Sequence, residues 1–325
     1  MPLSAVIGIS FLLGVLICLP LHILILVILV RKKEFQKLTA YRIMTHMSVL
    51  ECLYMAGHLL SGIMSVSGTS FSVYVARIGG CFISSGWTGI VAFTFLLSLN
   101  RFMVFANIKF RPQTDLIFFT TAITLIWILT VSIFVLHLFP EFSIHYSIAI
   151  NAYVYSNGPA ARDVEHVLYI SIFGTLIAIF VLCLATVVLI IRLRSNSSAS
   201  WKFQSGEVKL FIQSVIIFLY LSLIRCLWHF GKVLLDGPVS FAVLGIATQA
   251  VGGLNPVLYL TFNRTIRNYV KEVFGLKKSA VQVVSASGRR KPQFETKRAI
   301  GWNHLTWLTP INHLIKMLNL ASCCA

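Results

Sequence analysis

The feature that most constrains this chain is a series of seven apolar runs, each long enough to cross a lipid bilayer. A spanning helix needs about 20 mostly apolar residues. The chain is only 11% charged, against about 25% in soluble domains, and the period-2 alternation of a β-barrel does not dominate. The sequence therefore predicts an all-α membrane protein, a seven-transmembrane helix bundle. The runs lie near residues 4–30, 42–66, 78–102, 115–139, 166–191, 211–234 and 239–262.

The basic residues predict how the bundle is oriented. Of the 27 lysines and arginines, 23 fall in the loops and tail of one side of the predicted bundle. Loops rich in lysine and arginine remain in the cytosol, so we expect the N-terminus outside and the C-terminus cytosolic, in a multi-pass protein of the plasma or ciliary membrane. The net charge of +17 is then a signal of topology, and we predict no nucleic-acid partner.

A short amphipathic segment follows the seventh run. Its apolar residues recur with helical spacing, which predicts a helix over 262–275 that lies on the inner leaflet and contacts membrane lipid. We assign 1–275 to a seven-helix transmembrane domain and 276–325 to a cytosolic tail that is largely disordered. The apolar residues are Phe262, Ile266, Tyr269, Val270, Val273 and Phe274.

Polar residues inside the inner half of the bundle predict a conformational switch. At about 1.5 Å per residue, Glu51 lies about 14 Å from the inner edge and Asn255 about 10 Å from it. Pro256 interrupts the seventh helix and frees a backbone carbonyl, which needs a polar partner away from water. We expect Glu51 and Asn255 to meet there, at a kink that can adopt two geometries.

A second polar group in the outer half predicts a small-molecule cavity. Arg225, Trp228 and His229 are spaced i, i+3 and i+4, so they share one face of the sixth helix. With no acid predicted in the outer half of any helix, a cationic ligand would lack a counter-ion, and we expect a neutral or anionic ligand. The other residues predicted to bind it are His58, Ser84, Ser85, Trp87 and Gln249.

Several short motifs in the chain resemble those of a known receptor family. Seven spans, Asn-Arg-Phe after the third and Asn-Pro-Val-Leu-Tyr in the seventh resemble a rhodopsin-like G-protein-coupled receptor. The finer motifs look like those of the nematode chemoreceptors called serpentine receptor class T. These motifs are YRIM at 41–44, GW at 86–87, LNRF at 99–102, KLFIQS at 209–214 and LYLTFNRTIR at 258–267.

The resemblance implies a heterotrimeric G protein as partner. It implies that Arg101 contacts this protein, although Asn100 replaces the acid that normally pairs with the arginine. It also implies that Asn255, Pro256 and Tyr259 form the switch in the seventh helix, with Glu51 as their polar partner.

Other functions remain open at this point. A transporter or channel breaks its helices near the midplane and often contains internal repeats, whereas here the strongest break lies in the inner half and no repeat is evident. A peptide receptor of a related seven-helix class is a second alternative. An enzyme would need clustered histidines or acids, which the runs do not offer, so we predict no catalytic residues, no metal site and no cofactor.

Overall fold

The computed structural model describes residues 3–108, 111–195, 205–234 and 237–274. This part of the chain contains seven helices long and apolar enough to cross a membrane, which confirms the predicted bundle. Two short helices accompany them, one after α1 and one after the last span. The helices are α1 (Leu3–Arg31), α2 (Lys33–Gln36), α3 (Thr39–Ser67), α4 (Val73–Phe105), α5 (Pro112–Leu138), α6 (Pro159–Ser195), α7 (Ser205–Leu234), α8 (Pro238–Phe262) and α9 (Arg264–Val273).

The helices differ in how deeply they are buried. More than half of the membrane-crossing window is buried in α3, α4 and α8, at 56%, 67% and 56%, against 28% or less in α1, α5 and α6. The least buried helices are also the most apolar, because their outer faces meet hydrocarbon. Polar residues in a membrane protein face the bundle interior, so α3, α4 and α8 supply much of that interior.

The connection between α5 and α6 contains a β-hairpin, which the sequence did not predict. Strand β1 (Ile144–Ser147) pairs antiparallel with β2 (Ala152–Tyr155), with Ile144 opposite Tyr155. Asn151 takes a left-handed backbone conformation just before β2, with φ of 52°, which an asparagine tolerates better than most residues. We call the end of the bundle that carries this hairpin the hairpin end.

Two glycines of α4 seat the hairpin against the bundle. A Cβ at Gly80 would lie 2.6 Å from the backbone oxygen of Ile144, and a Cβ at Gly79 would collide with the hydroxyl of Tyr153. That hydroxyl donates to the Gly57 carbonyl of α3 at 3.1 Å. The hairpin therefore reaches the helix backbones directly, where any larger residue would hold it off.

A hydrogen-bond chain also joins the hairpin to α3. The hydroxyl of Ser65 donates to Asn151 at 3.1 Å and lies 2.6 Å from the hydroxyl of Tyr146. Since Ser65 has only one proton to give, Tyr146 is the donor in the second bond. The chain orders both strands relative to the membrane helices.

The opposite end of the bundle, which we call the basic end, carries α2 and α9. The side-chain oxygen of Asn263 accepts from the backbone amides of Thr265 and Ile266 at the start of α9, and its amide donates to the Tyr41 hydroxyl at 2.7 Å. α9 falls within the predicted range 262–275, but its position on lipid stays a prediction. The chain divides into compact units of 1–270 and 271–325, and the predicted tail 276–325 lies outside the described residues.

Candidate functional site

A cavity of about 800 Å³ opens at the hairpin end. Its walls come from α1, α3, α4, α6, α7, α8 and both strands of the hairpin. Ligand sites for small molecules fall in a range of about 300–1,000 Å³, so the cavity is of the right size for one. The hairpin strands supply part of the wall, which makes the cavity depend on how they are seated.

Six of the eight predicted ligand-binding residues lie in the wall of this cavity. Within it, the indole nitrogen of Trp228 donates to the hydroxyl of Thr248 at 2.7 Å, which fixes the ring against α8. The six are His58, Ser84, Trp87, Arg225, Trp228 and His229.

The other two predicted residues do not reach the cavity. Gln249 points toward α1, where its amide donates to the Phe11 carbonyl at 2.8 Å and its side chain occupies the space beside Gly14. The Ser85 hydroxyl donates to the Cys81 carbonyl of its own helix at 2.6 Å. Depth along a helix placed both residues in the outer half but could not tell which face of the helix carries them, and neither belongs to the cavity wall.

The expectation that the outer half holds no acid is wrong. α6 begins at Pro159 and not near 166, so Glu165 belongs to the helix and lines the cavity together with Arg162. Both side chains are exposed, and their i, i+3 spacing puts them on one face of α6. The mouth of the cavity therefore carries one acid and one base, whose charges offset each other.

Arg225 is the cation set deeper in the cavity. Its side chain is half-buried and its guanidinium lies 4.5 Å from the centre of the Tyr169 ring, in the geometry of a cation–π contact. Its Nε atom is buried without a hydrogen-bond partner, and among the described residues it forms no ion pair. The indole nitrogen of Trp87 and Nε2 of His58 are likewise buried and unpaired.

A hydrogen-bond relay connects the cavity wall to the base of the hairpin. His137 bonds the Phe142 carbonyl through Nδ1 at 2.7 Å, so that nitrogen carries the proton, and Nε2 of the neutral ring accepts from Ser84 at 2.8 Å. Tyr155 of β2 lies in the same cavity wall as Ser84. Burial raises the pKa of Tyr155 to about 12, so its hydroxyl remains protonated and available as a donor at neutral pH.

Near the basic end, the predicted meeting of α3 and α8 is present in the structure. The side-chain amide of Asn255 donates to Glu51, whose side chain is fully buried. Asn255 is 1% exposed, Tyr259 is 0% exposed, and the side-chain oxygens of both lack a partner in the structure. The four residues Glu51, Asn255, Pro256 and Tyr259 thus share one buried polar junction.

His22 of α1 completes this junction, and the sequence analysis did not assign it. Pro256 has no backbone N–H, so the carbonyl four residues earlier, on Gly252, loses its helical donor. The Nε2 atom of His22 bonds that carbonyl. The signal was in the sequence, since a proline inside a membrane helix requires a donor from a neighbouring helix and His22 is the polar residue of α1 at that depth.

The two ring nitrogens of His22 face different groups. Because the Gly252 carbonyl can only accept, Nε2 carries a proton, and Nδ1 faces Glu51 Oε2 at 3.4 Å. α1, α3 and α8 are joined through the bond from His22 to the Gly252 carbonyl and the bond from Asn255 to Glu51.

Arg101 has an acid partner from another helix. Asn100 replaces the neighbouring acid, as the sequence analysis noted, and is buried at 7% exposure. The structure pairs the guanidinium of Arg101, which is 3% exposed, with the carboxylate of Glu207 at the start of α7. The ion pair connects α4 to α7, and the sequence did not predict it because Glu207 is not a sequence neighbour of Arg101.

The comparisons with known proteins agree with this architecture. The crystal structure of squid rhodopsin superposes with a TM-score of 0.68 at 16% sequence identity, covering 84% of this chain and 85% of that chain. At that identity the likeness shows the fold alone. A search of curated protein sequences gives no significant match. The model of the family described as "Serpentine type 7TM GPCR chemoreceptor Srt" matches residues 3–283, and the chain belongs to that family of multi-pass membrane receptors.

Proposed function

We propose that this protein is a chemosensory receptor that binds a small neutral or anionic ligand in the hairpin-end cavity and activates a heterotrimeric G protein at the basic end. The observation that carries the proposal is the Arg101–Glu207 ion pair. It ties α4 to α7 at the end opposite the cavity, and α4 and α7 each contribute to the cavity wall.

The coupling runs through helices that reach both ends. α7 presents Arg225, Trp228 and His229 to the cavity and Glu207 to the basic end. A ligand that binds better to one arrangement of α7 shifts the population toward that arrangement. If the favoured arrangement separates Glu207 from Arg101, the guanidinium becomes free to contact a partner protein.

The polar junction is the second element that can hold two arrangements. Glu51, Asn255 and His22 meet at a proline-interrupted helix that depends on side chains for one of its backbone bonds. A buried polar network with unpaired oxygens rearranges at low cost, because new partners replace those that are lost. We assign Glu51, Asn255, Pro256 and Tyr259 to the switch, and Asn100 and Arg101 to G-protein coupling.

The charge distribution supports the orientation that goes with this function. Lysines and arginines concentrate in the loops of the basic end, so we place that end in the cytosol and the hairpin end outside, in the plasma or ciliary membrane. Accessibility of tags at the two termini in intact cells tests the orientation. Antibodies that reach both termini from one side would contradict it.

The decisive experiment measures nucleotide exchange by a G protein with the full chain in reconstituted membranes. A receptor raises exchange when ligand is added, and a transporter instead moves solute across the membrane without exchange. Vectorial flux of solute with unchanged exchange would therefore overturn the proposal.

A further inference from the structure

The cavity holds more hydrogen-bond donors than its own walls satisfy. Arg225 has a buried Nε with no partner and no ion pair among the described residues. The Trp87 indole nitrogen, in a side chain that is 8% exposed, also has no partner. An indole N–H and a guanidinium can only donate. Both residues line the same cavity, so a ligand with acceptors at two separate places could satisfy them.

The charged guanidinium is best satisfied by an anionic acceptor, and the neutral indole N–H by a neutral one. An arginine inside a membrane bundle is costly unless an opposite charge accompanies it. Tyr169 covers one face of the guanidinium, while Glu165 lies in electrostatic range without pairing with it. A carboxylate matches the planar donor fork of arginine in two parallel bonds. The neutral indole N–H is satisfied by a hydroxyl, carbonyl or ether oxygen.

The charges at the mouth of the cavity do not favour a cationic ligand over an anionic one. Glu165 is the acid of the wall, but it is exposed and shares its helix face with Arg162. A ligand ammonium group there would meet both signs of charge and remain hydrated. The deeper charge is Arg225, so the net field of the cavity favours an anion.

We infer that the ligand is an organic acid whose carboxylate pairs with Arg225 and whose second, uncharged oxygen accepts a hydrogen bond from Trp87. The inference rests on the proposed function for the location of the ligand site, and it names the ligand class that this site takes. The body between the two oxygen groups contacts the aromatic rings of the wall, among them Tyr54, Trp228 and Phe241.

Binding to the full chain in lipid nanodiscs tests this inference without a G protein. The probes are a panel of alkyl and aryl hydroxy acids, including hydroxydecanoate and hydroxyphenylpropanoate, each with its methyl ester and the amine of the same skeleton. A bond to a charged donor contributes about 1.5–3 kcal/mol, so binding acids should exceed their esters about tenfold or more in affinity. A panel in which no acid binds, or acid and ester bind equally, overturns the inference.

Two variants at Arg225 and a control at Arg77 test whether Arg225 causes the preference for acids. Arg225→Gln should weaken the acids about tenfold, to the level of their esters, and Arg225→Lys should retain part of the difference. Arg77→Gln makes the same change of net charge at the hairpin end, at a residue outside the cavity wall, and should change acid affinity about twofold or less. Unchanged acid preference in the Arg225→Gln protein, with an intact thermal transition, overturns the pairing.

Trp87→Phe tests the second contact. It should weaken hydroxy acids severalfold, as expected for the loss of one neutral hydrogen bond, and leave acids without the second oxygen unchanged. Equal losses for both probe sets would overturn the contact. An acid that binds selectively but leaves nucleotide exchange unchanged would instead count against the proposed function alone, and exchange driven only by esters or amines would count against this inference alone.

Discussion

The two ends of the bundle are held by different physical means. At the hairpin end, strand β1 rests on the bare backbone of Gly80 and shape decides the fit, while several polar atoms of the cavity have no partner. At the basic end and the junction above it, side chains from separate helices satisfy one another, as Arg101 does with Glu207 and His22 with the Gly252 carbonyl. The hairpin is therefore held by close packing together with its own hydrogen bonds to α3, whereas α4 and α7 are joined at the basic end by an ion pair between side chains.

The largest effect should come from filling the space under the hairpin. Gly80→Val would place a side chain where the backbone of Ile144 now lies, and backbone cannot retreat as a flexible side chain can. Overpacking of this kind costs about 1–3 kcal/mol or more, so we expect a lower midpoint of thermal unfolding and loss of the cavity.

Gly174→Val is the matched control for that change. Gly174 lies on α6 with open space around it, so the same added side chain should leave the midpoint unchanged. Equal unfolding midpoints for the two variants would show that shape does not hold the hairpin end.

The second prediction breaks the bond that holds the basic end. Glu207→Gln leaves the buried guanidinium of Arg101 without its charged partner, and Glu207 is 35% exposed, which reduces the cost below that of a fully buried pair. We expect a change of about 1–2 kcal/mol, read as a rise of roughly tenfold in basal nucleotide exchange.

Asp163→Asn provides the control, since it removes an exposed acid of α6 and should leave basal exchange unaltered. If the Glu207→Gln protein, present at equal surface density, gives the original basal rate of nucleotide exchange by the G protein, then this ion pair does not hold the basic end.

The third prediction concerns the junction and has a built-in rescue. His22→Phe removes the donor to the Gly252 carbonyl and should cost about 1–3 kcal/mol of unfolding free energy. Pro256→Ala returns a backbone N–H at the position that normally bonds this carbonyl. The double variant should therefore be less destabilised than the two single changes predict together, in a double-mutant cycle of thermal unfolding. Strict additivity would show that His22 does not serve the orphan carbonyl.

The smallest effect is a pH dependence to which the tyrosines of the hairpin contribute. Burial raises the pKa of Tyr146 and of Tyr155 to about 12, above the value of about 10 for an unfolded tyrosine. Between these values the unfolded chain ionises first, so stability is complete below about pH 10 and falls as pH rises toward about 12. Tyr155→Phe should reduce this loss of stability at alkaline pH. Tyrosinate absorbance during unfolding measures the effect. Tyr74→Phe, at an exposed site, should not alter it.

The sequence could predict which segments cross the membrane and how deep each residue lies. It could not predict which way a helix face points or which residue of another helix it contacts. The seven spans followed from apolar run lengths, and the meeting of Glu51 with Asn255 followed from the rise per residue. Gln249 was misplaced because depth does not specify the face of a helix. Glu165 was missed because α6 begins several residues before its apolar run, and helix ends are the least certain boundaries.

The partners of Arg101 and of the hairpin needed three-dimensional information. Glu207 is 106 residues from Arg101 along the chain, and no local pattern links them. No pattern in the sequence distinguishes Gly79 and Gly80, on which the hairpin lies, from other small residues of a membrane helix. Long-range contacts of this kind depend on how helices rotate about their axes, which a single sequence does not determine.

The seating of the hairpin has a consequence for how the protein is made and handled. Cys81, beside the two glycines, is a free and fully buried thiol, and the hairpin is positioned by its fit to bare backbone. The loop over the cavity therefore requires no oxidising compartment or isomerase to reach its place. Synthesis in a cell-free extract that contains a reductant should give a correctly seated hairpin.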